Sequence, residues 1–219
     1  MTLHGGSIAA AALAGFLVAG SAYAGPIDVL VGDKDGFGFS PACPDTGTCP
    51  GLSNPVIDNR DAAEKAATNG AQITDEYSAV FPPDFSPPGS TSTADVLFPF
   101  TGTLTSATVS FAGGDFQSDV FGALSANING TSIPFFFADG RFVMAIHSFT
   151  LTAAELAAAN AAGEVILHLD RNGSGDFIAF DWFELVGQTA VPEPASVVLL
   201  GTALVGFGLI RRRKKPEQS

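Results

Sequence analysis

The sequence predicts a mainly β protein: an antiparallel β-sandwich carrying one or two short helices. Three observations carry that reading. From Ala94 onward, roughly seven short segments alternate apolar and polar residues and are separated by turn dipeptides. The 219 residues include 25 Gly and 14 Pro, a turn-rich composition. Hydrophobic residues make up 46% against 15% charged, and 19 are Phe, a side chain that buries area without needing a hydrogen-bond partner. The length suits one domain rather than two large ones.

In chain order, residues 1–24 carry no Asp, Glu, Lys or Arg. An apolar stretch over 8–18 leads to Ala22-Tyr23-Ala24 before Gly25, the A-x-A pattern cut by signal peptidase. The segment reads as a secretory signal peptide with Ala22 and Ala24 at the cleavage site. Residues 25–93 form the loop-rich N-terminal part of the domain, punctuated by Ser40-Pro41, Asn54-Pro55, Pro82-Pro83 and Pro87-Pro88. One short helix is expected over 59–67, closed by Asn69-Gly70.

Residues 94–190 form the sandwich portion. Strands are expected over 95–100, 103–111 and 120–128. Asn129-Gly130 makes a hairpin turn into 131–137, and Asp139-Gly140 turns the chain into 141–151. Thr152 with Glu155 is a capping box that opens a helix ending at Gly163. Two closing strands, 165–169 and 177–186, flank the turn from Asp170 to Asp176.

The C-terminus has its own organisation. Val191-Pro192-Glu193-Pro194-Ala195-Ser196 precedes an uncharged apolar stretch, 197–210, and then Arg211-Arg212-Arg213-Lys214-Lys215. The stretch is expected to be a transmembrane helix, short against the ~20 residues of a comfortable span. The basic cluster would stay on the cytoplasmic side and leave everything before Pro192 exported. Pro192, Glu193 and Pro194, the apolar helix and the basic cluster, in that order, resemble the PEP-CTERM sorting signal of Gram-negative bacteria that make exopolysaccharide. The resemblance covers 191–219. It implies export across the inner membrane, anchoring before processing, recognition near Pro192–Pro194 by an exosortase, and delivery to the cell envelope or extracellular matrix.

Charge divides along the same lines. Between Gly25 and Ala190 there are 20 acidic and 5 basic side chains, a net of −15, against −12 for the whole chain. Such a balance argues against a nucleic-acid partner, whose phosphates need clustered Lys and Arg. It favours divalent cations as ligands.

Candidate chemistry is sparse. Cys43 and Cys49, the two cysteines, form an even pair across a short turn of an exported chain and read as a disulfide. Asp33 and Asp35, in Gly32-Asp33-Lys34-Asp35-Gly36, resemble a fragment of a calcium loop, or else an acidic turn that packs Phe37 and Phe39. The run from Asp170 to Asp176 places Asp170, Asn172 and Ser174 at EF-hand positions 1, 3 and 5, with Asp181 at position 12. An Asp in place of the bidentate Glu, and a strand in place of the entering helix, leave a calcium contact or a plain hairpin loop as the readings. His147 and His168 sit in strand-like apolar runs and read as partly buried core residues. No nucleophile elbow, H-E-x-x-H or phosphate loop is present.

The strand Phe177-Ile178-Ala179-Phe180-Asp181-Trp182-Phe183-Glu184-Leu185 and the Asn127–Gly130 hairpin resemble galactose-binding-like jelly rolls, the fold of many carbohydrate-binding modules. The likeness spans roughly 94–186. It implies a jelly-roll-like sandwich and a structural calcium held by Asp181 with Asp33 or Asp35. The expectation is a non-enzymatic surface or matrix protein, adhesive or structural and associated with exopolysaccharide. The alternatives are a carbohydrate-binding module with a defined glycan ligand and a glycoside hydrolase.

Overall fold

The computed structural model describes residues 23–53, 57–81 and 92–191, together with Thr202. Ala24–Val191 form one compact unit. Ala22, the Pro192–Pro194 motif, the expected 197–210 helix apart from Thr202, and the basic cluster Arg211–Lys215 lie outside the described residues. Ala24 is in the backbone of the first strand. Among the described residues, no helix is long and apolar enough to cross a membrane.

The unit is an antiparallel β-sandwich. Its strands are β1 (Tyr23–Gly32), β2 (Gly47–Thr48), β3 (Ile57–Asp58), β4 (Glu76–Ser78), β5 (Thr93–Pro99), β6 (Thr103–Gly114), β7 (Ser125–Ile128), β8 (Thr131–Ile133), β9 (Val143–Thr150), β10 (Glu164–Asp170) and β11 (Ile178–Val191). Three helices accompany them: α1 (Ala62–Ala66), α2 (Ser118–Phe121) and α3 (Ala153–Ala162). The larger sheet runs β2-β9-β6-β11-β4-β3, with β1 also on β11; the smaller runs β5-β10-β7-β8.

Alternation explains the layers. In β10, Val165, Leu167 and Leu169 are fully buried while their neighbours are half-buried, the period of a strand with one face on the core. They meet Phe111, Phe183 and Leu185 of the larger sheet. Phe111 lies opposite Phe183, and its ring also stands within 6.3 Å, centroid to centroid, of Phe116, Phe135, Phe137, Phe149 and Phe180. The Phe-rich composition thus becomes an aromatic core. One residue along, Ala112 lies opposite Trp182, and both face a second cluster with Phe37, Cys49, Leu52 and Met144. The 33–53 loop therefore covers the outer face of the larger sheet. Cys43 and Cys49 are bonded to each other within that loop, with Cα atoms 5.3 Å apart.

The helix opened by Thr152 forms as expected. The Thr152 Oγ1 accepts from the Glu155 N–H, the Glu155 carboxylate accepts from the Thr152 N–H, and Gly163 closes the helix at φ 81°. The first helix spans 62–66, inside the expected 59–67, with Asp61 as its N-cap. Two strand expectations are corrected. Residues 118–121 are helical, because the backbone N–H groups of Val120 and Phe121 turn back to the Gln117 carbonyl; only 125–128 is strand. The strand after Asn129-Gly130 stops at Ile133, before Pro134, which lacks the N–H a ladder needs. The nominally irregular 25–93 also contains β1, whose Ile27, Val29 and Val31 are each less exposed than their immediate neighbours.

Candidate metal centre

Asp181 owes its position to a break in pairing. Phe180 lies opposite Gly113 and Trp182 opposite Ala112, leaving Asp181 as the extra residue of a β-bulge, a device that re-aims a side chain. It is fully buried, and its Oδ1 accepts the Phe37 backbone N–H at 2.7 Å. The turn after β1 supplies Asp33 and Asp35, both exposed; Asp35 Oδ1 accepts the Gly38 N–H at 2.7 Å. Asp75 comes from a third segment. It adopts a left-handed conformation, φ 55°, just before β4, where its N–H donates to the Phe180 carbonyl and its own carbonyl accepts from the Asn59 N–H. It is 3% exposed.

One carboxylate oxygen from each of Asp33, Asp35, Asp75 and Asp181 lies within 4.8 Å of the others. Asp75 Oδ1 and Asp181 Oδ2 are buried with no hydrogen-bond partner. Lys34, in the same turn, points elsewhere: its Nζ is 2.7 Å from Glu184 Oε1 and 4.3 Å from the centre of the Trp182 ring. Burial, reinforced by the surrounding carboxylates, pushes Asp75 up to about 9. Burial also raises Asp181 to about 7, against the opposing Phe37 hydrogen bond. Asp33 is raised by burial and by Asp35. The donors are oxygen alone, the set that suits hard divalent cations.

Asp170 and Asp176 are not among these converging carboxylates. Asp170 Oδ1 accepts the Asn172 N–H at 2.8 Å, and Asn172 sits at φ 50°, the geometry of a local turn. Asp176 points inward and is 1% exposed; its Oδ2 accepts the Gln117 N–H at 2.7 Å. Arg171, also buried, donates to the Ser78 and Asp176 carbonyls and stands over the Phe81 ring. Tyr77 donates its hydroxyl to Asp115. His147 pairs with Asp139 at 2.9 Å and stacks on Phe137, and the half-buried His168 pairs with Asp95 at 2.6 Å.

Asp75 is the member that sequence reasoning missed. It belongs to no spacing pattern with Asp33 or Asp181; a turn conformation and a hydrogen bond to the bulged strand bring it in.

The fold and the acidic cluster define a β-sandwich protein with a concentrated anionic site. Residues 190–214 match the PEP-CTERM protein-sorting motif. That motif implies an exported, exosortase-processed protein, and here it follows a β-rich domain. No curated protein matches the chain. Among solved structures, dimeric latent PorU from Porphyromonas gingivalis matches at 17% identity and a TM-score of 0.32, over 45% of this chain and 10% of that one. The chain thus spans about a tenth of PorU's length. A likeness at that level carries no argument, and the galactose-binding-like resemblance gains no support from it.

Proposed function

We propose that the chain is a non-catalytic, adhesive or structural protein of the cell envelope or extracellular matrix, associated with exopolysaccharide. The observation that carries the reading is the junction of domain and tail. The last strand ends at Val191, directly before Pro192, and overlaps the matched sorting segment only at Ala190 and Val191, so the sandwich lies upstream of the Pro-Glu-Pro motif. A net of −15 over 25–190 keeps such a domain soluble outside the cell.

Intact-mass analysis of the native protein, after fractionation of cells with and without the exosortase, tests the reading. The expected mature mass in exosortase-bearing cells lacks Arg211–Lys215, and deletion of the enzyme restores them in a membrane fraction. A mature mass that still includes those residues overturns it. Co-sedimentation of the mature protein with purified exopolysaccharide tests the association.

A further inference from the structure

We propose that Asp33, Asp35, Asp75 and Asp181 form a calcium site that staples the turn after β1 to the bulge of β11. The case rests on geometry and is independent of how the tail is processed.

Four carboxylates converge from three separate segments: the 33–38 turn, the turn before β4, and the β11 bulge. Oxygens within 4.8 Å of one another fit on a single coordination sphere with the ~2.3–2.6 Å radius of calcium. Two of the side chains, Asp75 and Asp181, are 3% and 0% exposed, and each has a buried oxygen without a protein donor. Buried carboxylate oxygens are ordinarily hydrogen-bonded or bound to a metal. Nearby donors that could have satisfied them serve other oxygens. The Phe37 N–H goes to Asp181 Oδ1, the Gly38 N–H to Asp35, and the Lys34 ammonium to Glu184. What remains is a cluster of four carboxylates within 4.8 Å of one another, two of them buried with an unpartnered oxygen and two, Asp33 and Asp35, exposed.

The chemistry selects among cations. Zinc favours nitrogen and sulfur donors, whereas Cys43 and Cys49 are bonded together and His147 and His168 are engaged with Asp139 and Asp95. Magnesium holds its octahedron at ~2.0–2.1 Å and sheds water reluctantly. Calcium accepts irregular oxygen sets, and water entering from the exposed side completes its six to eight ligands. Bridging the three segments fixes the 33–38 turn, and with it Phe37, against the outer face of the larger sheet.

The test uses the full chain in neutral detergent, stripped of metal by chelation, with calcium or magnesium chloride added back. Calorimetry is expected to show one calcium per chain. The melting temperature should rise by about 5–10 °C at a hundredfold excess over Kd. Magnesium should bind at least tenfold more weakly. Asp75→Asn removes a charge aimed at the ion and should weaken calcium at least tenfold. Asp35→Asn should do likewise, and it keeps an acceptor for the Gly38 N–H on an exposed residue, so folding is not at issue. Asp170→Asn should bind as the parent does. Terbium in place of calcium should luminesce when Trp182 is excited, because that ring packs against Lys34 of the same turn. A folded parent chain with neither heat nor a melting shift would sink the proposal. So would unchanged calcium affinity in both Asp35→Asn and Asp75→Asn, equal binding of magnesium, or a silent terbium complex.

Discussion

Asp176 shows what a buried carboxylate outside the cluster does to stability. Burial raises it from an ordinary 3.8 to about 6, although the Gln117 N–H and Arg171 oppose the rise. The native state therefore holds this proton through a window in which the unfolded chain has released it. Between about pH 4 and pH 6 the native state binds more protons, so this residue's contribution falls as pH rises. Asp176→Asn keeps an acceptor for Gln117 and removes the ionisation. Urea unfolding at about pH 4 and about pH 7 should show the variant gaining on the parent by about 2 kcal/mol at the higher pH. An equal difference at both pH values would contradict the assignment. Single residues were also where the sequence was least legible. Asp33, Asp35 and Asp181 can be picked out because short motifs surround them. Asp75 cannot, since what places it is a positive φ and a hydrogen bond across more than a hundred residues of chain.

Elements were legible where local chemistry decides them. Thr152, Glu155 and Gly163 set both ends of α3 without help from the rest of the fold, and Asn129-Gly130 does the same for the β7–β8 hairpin. The apolar 120–128 stretch misled because a short run with mixed periodicity suits helix and strand equally. Backbone hydrogen bonds to Gln117 resolve it as a helical turn, and Gly122, at φ 87°, ends that turn. The N-terminal part looks irregular because its strands are two or three residues long after β1, and partners distant in sequence hold them. Gly32 gives an element-level test. It ends β1 at φ 79°, where an added Cβ would stand 2.7 Å from Thr74 Cγ2 and 2.8 Å from the Asp181 carbonyl. Gly32→Ala should cost about 1–3 kcal/mol in urea unfolding, through strain and the collision with β11 backbone. A neutral result would mean that β1 does not approach the bulge so closely.

At the scale of the molecule, the two apolar clusters lie on opposite faces of one sheet and share its strands. Phe111 and Phe183 belong to one, while their immediate neighbours Ala112 and Trp182 belong to the other. Neither cluster can be lost while β6 and β11 stay paired and packed, so Ala24–Val191 should unfold in one cooperative step. Scanning calorimetry should give equal calorimetric and van't Hoff enthalpies for that unit; two resolved transitions would show the outer cluster melting alone. The sandwich class was legible from alternation and turn chemistry, but the strand order was not, because β11, the last strand, pairs with β1, β4 and β6, all distant from it in sequence. That pairing has a mechanical side. Gly25 lies beside Thr189, so β1 holds one flank of β11 near its exit while β6 holds the other. A force applied at the C-terminal end of β11 along the strand axis acts across hydrogen bonds that run perpendicular to it. Both ladders then share the load in shear instead of peeling bond by bond.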